Sequence, residues 1–222
     1  MTVDVVIVAA WIVGAYLAGS IPFGWLIGKA RGVDIRQLGS KNIGATNCGR
    51  VCGWPCGIAA LVLDVAKGFG PGAAAVAWLP EMVGGFGDEH RRWLAVVLVA
   101  AQPIIGHLFP VWLGFKGGKA VATSLGALLA LPMLRWAALA ALGVWIAVTG
   151  LTKYVSVGST VAALAFAGLY LWLDRDNAWG DYLAVTVFVF LVVGLVIIRH
   201  RSNYARLAKG TENKLWGGSK KP

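Results

Sequence analysis

Acidic residues are scarce in this sequence of 222 residues, which has 10 Asp and Glu against 20 Lys and Arg. Charged residues of both signs make up only 14% of the chain, whereas 58% is apolar and the mean hydropathy is +0.72. A chain this apolar is not a soluble domain. Its apolar runs lack the alternation of barrel strands, so we expect helices that span a membrane, where lipid cannot hydrogen-bond to exposed backbone.

Several catalytic motifs are also absent. The sequence contains no G-x-S-x-G elbow, no Walker A loop and no G-x-G-x-x-G fingerprint. None of its three histidines is followed by an aspartate at the H-x-x-x-x-D spacing used by some acyltransferases. Its three cysteines, at positions 48, 52 and 56, have no histidine near them in sequence, so we interpret them as packing residues. The sequence therefore predicts no covalent serine nucleophile, no metal and no cofactor.

Seven apolar segments are candidate spans. They are residues 4–28, 54–79, 93–114, 120–131, 136–150, 155–173 and 182–198. The fourth and fifth segments are short for a full crossing, and Pro132 separates them. They either cross with little tilt where the bilayer is thinned or form a re-entrant hairpin. The prediction is an all-α, polytopic integral membrane bundle of about seven transmembrane helices with two short central spans, in a single domain over residues 1–222.

Charge divides the connections between these segments into two groups. The odd-numbered connections, which are 29–53, 115–119, 151–154 and the tail from residue 199, hold 15 of the 20 Lys and Arg but only two of the acids. The even-numbered connections and the N-terminal residues hold seven acids. Cytoplasmic loops carry the positive excess in membrane proteins. We therefore expect the N-terminus outside and the C-terminus in the cytoplasm.

The first basic connection contains a loop, residues 39–50, that is rich in small residues and hydrogen-bond donors. The neutral side-chain donors and the two cations are Ser40, Asn42, Thr46, Asn47, Lys41 and Arg50. Glycines such as Gly44 would let backbone N–H groups approach an oxyanion closely. The alternative is an ordinary basic loop that touches anionic lipid headgroups.

The second basic connection reads Lys116-Gly117-Gly118-Lys119 and leads directly into a predicted helix. Two cations around a Gly-Gly pair at a helix N-terminus form a strong anion site on physical grounds. The alternative is a positive anchor at the membrane surface. The third connection adds Ser156.

In the tail, His200 and Asn203 are three residues apart and share one face of a helix. Two charges, Asp64 and Lys67, lie inside the second segment at the same spacing and predict a neutralising pair. His107, in the third segment, either orients the Lys116–Lys119 loop or hydrogen-bonds a backbone carbonyl.

Several unusual strings now point to one family. GSIPFGWLIGK (19–29), DIRQLGSKNIGATNCGR (34–50), HLFPVWLGFKGGKAVATSLG (107–126), TKYVSVGS (152–159) and RHRSNYARLAKGTENKL (199–215) resemble the bacterial acyl-phosphate-dependent glycerol-3-phosphate acyltransferases. The resemblance implies acyl transfer from an acyl phosphate to the 1-hydroxyl of glycerol 3-phosphate, giving lysophosphatidate and phosphate. This is the first step of phospholipid biosynthesis at the bacterial inner membrane.

The resemblance also implies which residues handle the phosphate groups. They are Ser40, Arg50, Lys116, Lys119, Ser156, His200, Asn203 and Glu212. Two positions depart from the family pattern, because Lys41 and Ala120 stand where glycine is common. A methyl group at position 120 is expected to disfavour a positive φ there.

An activated acyl phosphate needs no covalent enzyme intermediate, so direct attack by the glycerol hydroxyl is the expected route. Its proton would go either to His200 or to the substrate phosphate. The expected partners are the two phosphate substrates and membrane lipid, and not nucleic acid, while the oligomeric state stays open. Two other classes remain as alternatives at this point: an organophosphate transporter and a lipid-binding membrane protein without catalytic activity.

Overall fold

A computed structural model of the chain describes residues 3–215. Within that range the chain forms ten α-helices and no β-strand. The helices are α1 (Val3–Ser20), α2 (Phe23–Ala30), α3 (Ala45–Cys52), α4 (Trp54–Met82), α5 (Glu89–Leu108), α6 (Val121–Ala130), α7 (Arg135–Thr152), α8 (Val155–Leu173), α9 (Leu183–Arg199) and α10 (Arg201–Ala208). The prediction of an all-helical membrane bundle is confirmed.

The expected count of about seven spans is not confirmed. Five helical segments in the described range are long and apolar enough to cross a membrane, and there are six if α9 and α10, which are bent by 43°, are counted as one span. Only one of the two central segments is short. With the turn that precedes it, α7 extends over 21 residues from Pro132. Helix α6 has 10 residues, which is about 15 Å or half of a bilayer core.

Helix α6 is short because the loop before it already lies inside the bundle. The N–H groups of Gly117 and Gly118 donate to the carbonyl oxygens of Leu108 and His107, both at 3.1 Å. Those carbonyls belong to the last turn of α5, where no helical partner is left for them. The loop therefore runs back along α5, and both backbone groups are satisfied at a depth where water is scarce.

Helix α4 is the centre of the bundle and packs against α1, α3, α5 and α6. Glycines allow its closest approach: a β-carbon on Gly68 would overlap the Thr123 carbonyl of α6, and one on Gly126 would overlap the Val65 carbonyl of α4. Such small-residue contacts are typical of helix packing in lipid, where van der Waals contact replaces the hydrophobic driving force.

The basic connections meet at one end of this bundle, as the charge pattern predicts. Lys119 contacts Asn203, and Arg199 donates to the Gly118 carbonyl at 2.6 Å. The Arg50 guanidinium reaches the carbonyl of residue 213, and the N–H of residue 215 donates to the carbonyl of residue 153 at 2.7 Å. The four connections thus form one continuous surface.

Candidate active site

The loop of residues 39–50 is organised by Asn47, whose side chain is 1% exposed. Its Oδ1 accepts from the Ser40 N–H at 2.8 Å, and its Nδ2 donates to the carbonyls of Ile35, Leu38 and Asn42 at 2.8 to 3.2 Å. The amide has no donor left for a ligand. The prediction that Asn47 donates to an anion is therefore corrected, since this side chain holds the loop in shape.

Asn42 and Gly44 are also engaged with each other. The Asn42 Oδ1 accepts from the Gly44 N–H at 2.9 Å, which forms a short turn immediately before α3. This N–H was expected to face an oxyanion and does not. Ser40 and Thr46 are both partly buried on the same loop, and their hydroxyls form none of the hydrogen bonds seen among residues 3–215. These two hydroxyls, together with the Asn42 Nδ2, which donates none of the hydrogen bonds among the described residues, are the neutral side-chain donors that the loop can offer.

The glycines of the second loop allow contact between backbones and do not cradle an anion. A β-carbon on Gly117 would overlap the His107 and Leu108 carbonyls, and one on Gly118 would overlap the His107 ring. Both N–H groups already donate to α5. The expectation that these N–H groups bind phosphate is therefore corrected. The contacts of the two glycines with α5 fix the position of Lys116 and Lys119 relative to that helix.

Lys119 begins a chain of polar contacts that reaches the tail. Its Nζ donates to the Asn203 Oδ1, and the Asn203 Nδ2 donates to the Glu212 Oε1 at 2.5 Å. The second carboxylate oxygen of Glu212 accepts from Arg206 Nε at 2.7 Å. Glu212 was predicted to bind phosphate, and this is corrected because both of its oxygens hold protein groups. Its charge keeps the cations of the site together.

Positive charge exceeds negative charge around Lys119. Arg50, Arg199 and Arg206 all raise the local potential there, and Glu212 is the one carboxylate that opposes them among the described groups. Burial, and then these arginines, lower the pKa of Lys119 to about 8. The Arg50 Nε atom is buried without a hydrogen-bond partner within residues 3–215, and burial lowers the pKa of this guanidinium. An anion would remove this imbalance.

His200 lies between α9 and α10 and is 1% exposed. Its Nδ1 is 2.8 Å from the Val196 carbonyl, which can only accept a hydrogen bond, so Nδ1 carries the proton. Burial and the Lys119 charge lower the pKa of His200 to about 4, so the ring is neutral at neutral pH. Nε2 then has a free lone pair and accepts hydrogen bonds.

Ser156 lies in the first turn of α8 and is 2% exposed. Its hydroxyl has no partner among the residues of the described range, whereas its carbonyl accepts from Thr160 at 2.9 Å. Thr160 in turn contacts the Tyr204 hydroxyl at 2.6 Å, on the turn of α10 that follows His200. An unpartnered buried hydroxyl therefore lies near the tail.

Lys116 forms none of the side-chain contacts of this cluster. It lines a cleft of roughly 330 Å³ together with Arg36, Lys41, Phe115 and Arg199. Arg36 is paired with Asp34 at 2.7 Å, so it is already neutralised. Of the predicted residues, Lys119, Asn203 and Glu212 are joined by hydrogen bonds, and Arg50 and His200 lie close enough for their charges to interact with this group. Lys116 lies in the neighbouring cleft.

Two arginines of the site were not among the predicted residues. Arg199 binds the Gly118 carbonyl, and Arg206 binds Glu212. Arg206 follows Asn203 by three residues, so the helical spacing that selected Asn203 also indicated Arg206. Arg199 precedes Asn203 by four residues and so lies on the same helical face, but the backbone carbonyl that it binds has no signature in the sequence.

The cysteines behave as packing residues. Cys48 and Cys56 are buried, and the Cys48 Sγ donates to the Cys56 carbonyl at 3.6 Å. Burial, with the neighbouring cysteines, raises the pKa of Cys48 to about 12, so it stays a thiol. In the range 3–215 no three His, Cys, Asp or Glu side chains group as metal ligands would.

The two positions where glycine was expected both have a positive φ. Lys41 has φ of 58° and Ala120 has φ of 61°. The expectation that a methyl group keeps position 120 out of this region is wrong. Ala120 directly precedes α6, and the Gly117 and Gly118 contacts on one side and the helix on the other hold it there.

Comparison with known proteins gives one consistent result. A family model described as glycerol-3-phosphate acyltransferase matches residues 9–210. The chain is 42% identical over 214 residues to a glycerol-3-phosphate acyltransferase of Anaeromyxobacter sp. (strain Fw109-5), covering 96% of this chain and 98% of that one. It is 46% identical over 204 residues to one of Desulfotalea psychrophila, covering 91% and 94%.

Two solved structures are also similar. Both are crystal structures of PlsY (YgiH), an integral membrane glycerol 3-phosphate acyltransferase, one in its glycerol 3-phosphate form and one in its lysophosphatidic acid form. The first has a TM-score of 0.80 and 34% identity, and covers 95% of this chain and 96% of its own. The second has a TM-score of 0.77 at the same identity, with 93% and 94% covered.

The backbone at Ala120 generates a first prediction. Ala120→Gly should raise the free energy of unfolding by about 1 kcal/mol, because glycine adopts a positive φ without the steric cost that alanine carries. In a chain of this size that corresponds to a rise of roughly 2–4 °C in melting temperature. The measurement is thermal unfolding of the detergent-purified protein.

The matched control is Ala122→Gly, two residues on and inside α6, which should lose up to about 1 kcal/mol because glycine destabilises a helix. If both substitutions lower the melting temperature equally, the strain assigned to position 120 is absent.

Proposed function

This chain belongs to the glycerol-3-phosphate acyltransferase family, and on that basis we propose that it transfers the acyl group of an acyl phosphate to the 1-hydroxyl of glycerol 3-phosphate. The products are 1-acylglycerol 3-phosphate and inorganic phosphate. The chain is thus an integral membrane acyltransferase, and the acyl phosphate donor and the mechanism are our proposal. No covalent acyl-enzyme is formed.

One observation carries the proposal: a single carboxylate, Glu212, faces four cations at one end of a membrane bundle. Both proposed substrates bear phosphate, and phosphate leaves, so the site must hold several negative charges throughout the reaction. Glu212 offsets one of the four cations, which leaves three positive charges for the substrates to compensate. An acyl phosphate also has a long apolar tail, which can stay in lipid while its phosphate reaches this end of the bundle.

Lys119 and Arg50 are assigned to the substrate phosphates. The Arg50 guanidinium is partly buried and has an unpartnered Nε, so a phosphate oxygen would satisfy it by a charge-assisted bond. The Ser40 and Ser156 hydroxyls are neutral donors for the same groups. Asn203 holds Lys119 in place and Glu212 holds Asn203, so these two act by orienting the lysine.

The chemical step is direct attack. The 1-hydroxyl oxygen of glycerol 3-phosphate forms a bond to the acyl carbon, and the bond from that carbon to the phosphate oxygen breaks. Cations and hydroxyl donors near the acyl carbon stabilise the developing oxyanion and the leaving phosphate. One well-placed donor contributes roughly 3–4 kcal/mol in other acyl-transfer enzymes.

His200 accepts a hydrogen bond from the attacking hydroxyl through Nε2, and the substrate phosphate takes the proton. A pKa of about 4 makes the ring a weak base. A phosphate monoester, whose second pKa is about 6, is a stronger base at the same position. His200 is therefore assigned to orientation of the hydroxyl.

The site is proposed to face the cytoplasm from the bacterial inner membrane, with the N-terminus outside, because the basic connections surround it. Cysteines introduced at positions 41 and 89 of a cysteine-free variant should be labelled from opposite faces of sealed cells. Labelling of both by an impermeant reagent would contradict this orientation.

The function is tested with purified protein, an acyl phosphate and labelled glycerol 3-phosphate. We expect equal amounts of phosphate and 1-acylglycerol 3-phosphate. Arg50→Ala should remove most of this activity while the protein still folds, because a phosphate loses its guanidinium partner. Exposed Arg31 supplies the control, and Arg31→Ala should be as active as the wild type. Normal turnover by Arg50→Ala would show that Arg50 is only a structural or lipid contact.

Lys119 should give the reaction an alkaline limit. Its ammonium group is present below its pKa of about 8 and is lost above it, so kcat/KM for glycerol 3-phosphate should fall as pH rises through about 8. Lys119→Arg should move this fall to higher pH, since arginine stays charged. Lys116→Arg, in the same loop, should leave it in place. An unchanged profile in Lys119→Arg would mean that another group titrates.

The role of His200 is tested by His200→Gln and His200→Ala. Glutamine can accept a hydrogen bond but cannot take up a proton. If the substrate phosphate is the base, the Gln variant should keep substantial turnover and mainly bind glycerol 3-phosphate more weakly. A general-base role would make both variants equally inactive, with a loss on the order of 10²–10⁴ in turnover, and would overturn our assignment.

A further inference from the structure

Three ionisable side chains are buried in the bundle just beneath the site. Asp64 and Lys67 belong to α4 and His107 belongs to α5, and they are 1%, 7% and 4% exposed. We call them the Asp64 cluster. The reaction proposed above assigns nothing to them, although they lie next to the Lys116–Lys119 loop.

Lys67 connects the cluster to a break in the first span. Its Nζ is 2.8 Å from Asp64 Oδ1 and donates to the Ile21 carbonyl at 2.7 Å. Ile21 lies between α1 and α2, where Pro22 interrupts the helical hydrogen bonds. The lysine is therefore a second donor to a carbonyl at the helix break, which also accepts from the Phe23 N–H at 3.2 Å. Its contact with Asp64 confirms the pair expected from the spacing of Asp64 and Lys67.

His107 connects the cluster to the loop above it. Its Nδ1 is within hydrogen-bond distance of the Thr123 hydroxyl of α6, at 3.2 Å, and lies 3.6 Å from Asp64 Oδ1, which is a close contact and not a hydrogen bond. The other edge of the ring faces Gly118 so closely that a β-carbon there would overlap Nε2. The ring thus fills the space between Asp64 and the backbone of residue 118.

Gly118 is consequently fixed on three sides. Its N–H donates to the His107 carbonyl at 3.1 Å, its carbonyl accepts from Arg199 at 2.6 Å, and its α-carbon packs on the His107 ring. Lys119 is the next residue, so any movement of Gly118 displaces the lysine.

Stability alone does not account for charges at this position. Transferring an ion pair from water into the protein interior costs free energy, and the attraction between the two charges often does not offset this cost. Replacing such a pair by apolar residues of similar volume frequently leaves the protein equally stable. Charged residues inside a membrane span commonly mark a functional arrangement.

We propose that the Asp64 cluster is a positioning device, in which Asp64 orients the His107 ring and the ring sets the depth of Gly118 and hence of Lys119. This inference rests on the proposed role of Lys119 in holding a substrate phosphate. His107 touches no substrate and acts through the loop.

The test measures equilibrium binding of labelled glycerol 3-phosphate, turnover and melting temperature for His107→Ala and His107→Gln. His107→Ala removes the support under Gly118 and should weaken binding about 10- to 100-fold, the loss that corresponds to one hydrogen bond to a charged group. Glutamine restores bulk and a polar group, so His107→Gln should recover most of this affinity. The double variant Asp64→Asn with Lys67→Met removes both charges without leaving either unpaired, and it should also bind more weakly.

The matched control is Thr186→Val, which breaks an equally buried polar contact at the other end of the bundle. Thr186 is 1% exposed, contacts the Tyr170 hydroxyl at 2.7 Å and donates to the Ala178 carbonyl at 2.5 Å. It should lower the melting temperature and leave the binding constant unchanged. Wild-type affinity in His107→Ala, or weaker binding in Thr186→Val at an equal drop in melting temperature, would overturn the proposal.

The binding measurement needs no acyl donor. A wild-type protein that binds glycerol 3-phosphate but takes no acyl group from acyl phosphate would contradict the proposed donor alone. The positioning role would still be decided by the His107 variants.

Discussion

The arrangement depends on one constraint: backbone groups at membrane depth must find partners inside the protein, because lipid offers none. Helix α5 ends with carbonyls that need donors, and Gly117 and Gly118 supply them. That pairing draws the loop into the bundle, shortens α6 and sets Lys119 beneath the tail. At the break between α1 and α2, a second carbonyl accepts from Lys67 as well as from the Phe23 N–H. The catalytic face is therefore built on hydrogen bonds that first satisfy the requirements of the fold.

The backbone groups of this framework have partners within the protein, but the charges of the site do not balance one another. Glu212 is positioned between Asn203 and Arg206 and offsets one charge out of four. Complete neutralisation would give a stable surface with no affinity for phosphate. Partial neutralisation keeps the cations together and still attracts an anion. The buried, electropositive surroundings also keep His200 neutral. A neutral ring can accept a hydrogen bond from a hydroxyl group, whereas it lacks the charge to pair with phosphate.

Much of this could be predicted from the sequence, because apolar runs identify the helices and loop charge identifies which connections share an end of the bundle. The spacing of Asp64 and Lys67 likewise predicted their pair. Whether an individual hydrogen-bond donor binds a ligand or another group of the protein could not be predicted. Asn47, Gly117 and Gly118 all looked like anion ligands, but their hydrogen bonds are used within the protein, and whether a donor is free depends on distances between backbones that no pattern records. Lys41 and Ala120 show the same limit, since neighbouring contacts determine their positive φ.

The contact between Arg50 and the tail has a consequence for how this protein can change in evolution. Arg50 reaches the main-chain carbonyls of Asn213 and Lys214, and the N–H of Leu215 pairs with the carbonyl of Lys153. Main-chain groups are the same in nearly every amino acid, so side chains at these three positions are free to be exchanged. A one-residue insertion or deletion after Glu212 is different, because it moves every one of these groups out of register. Selection on this segment should therefore act on its length far more than on its composition.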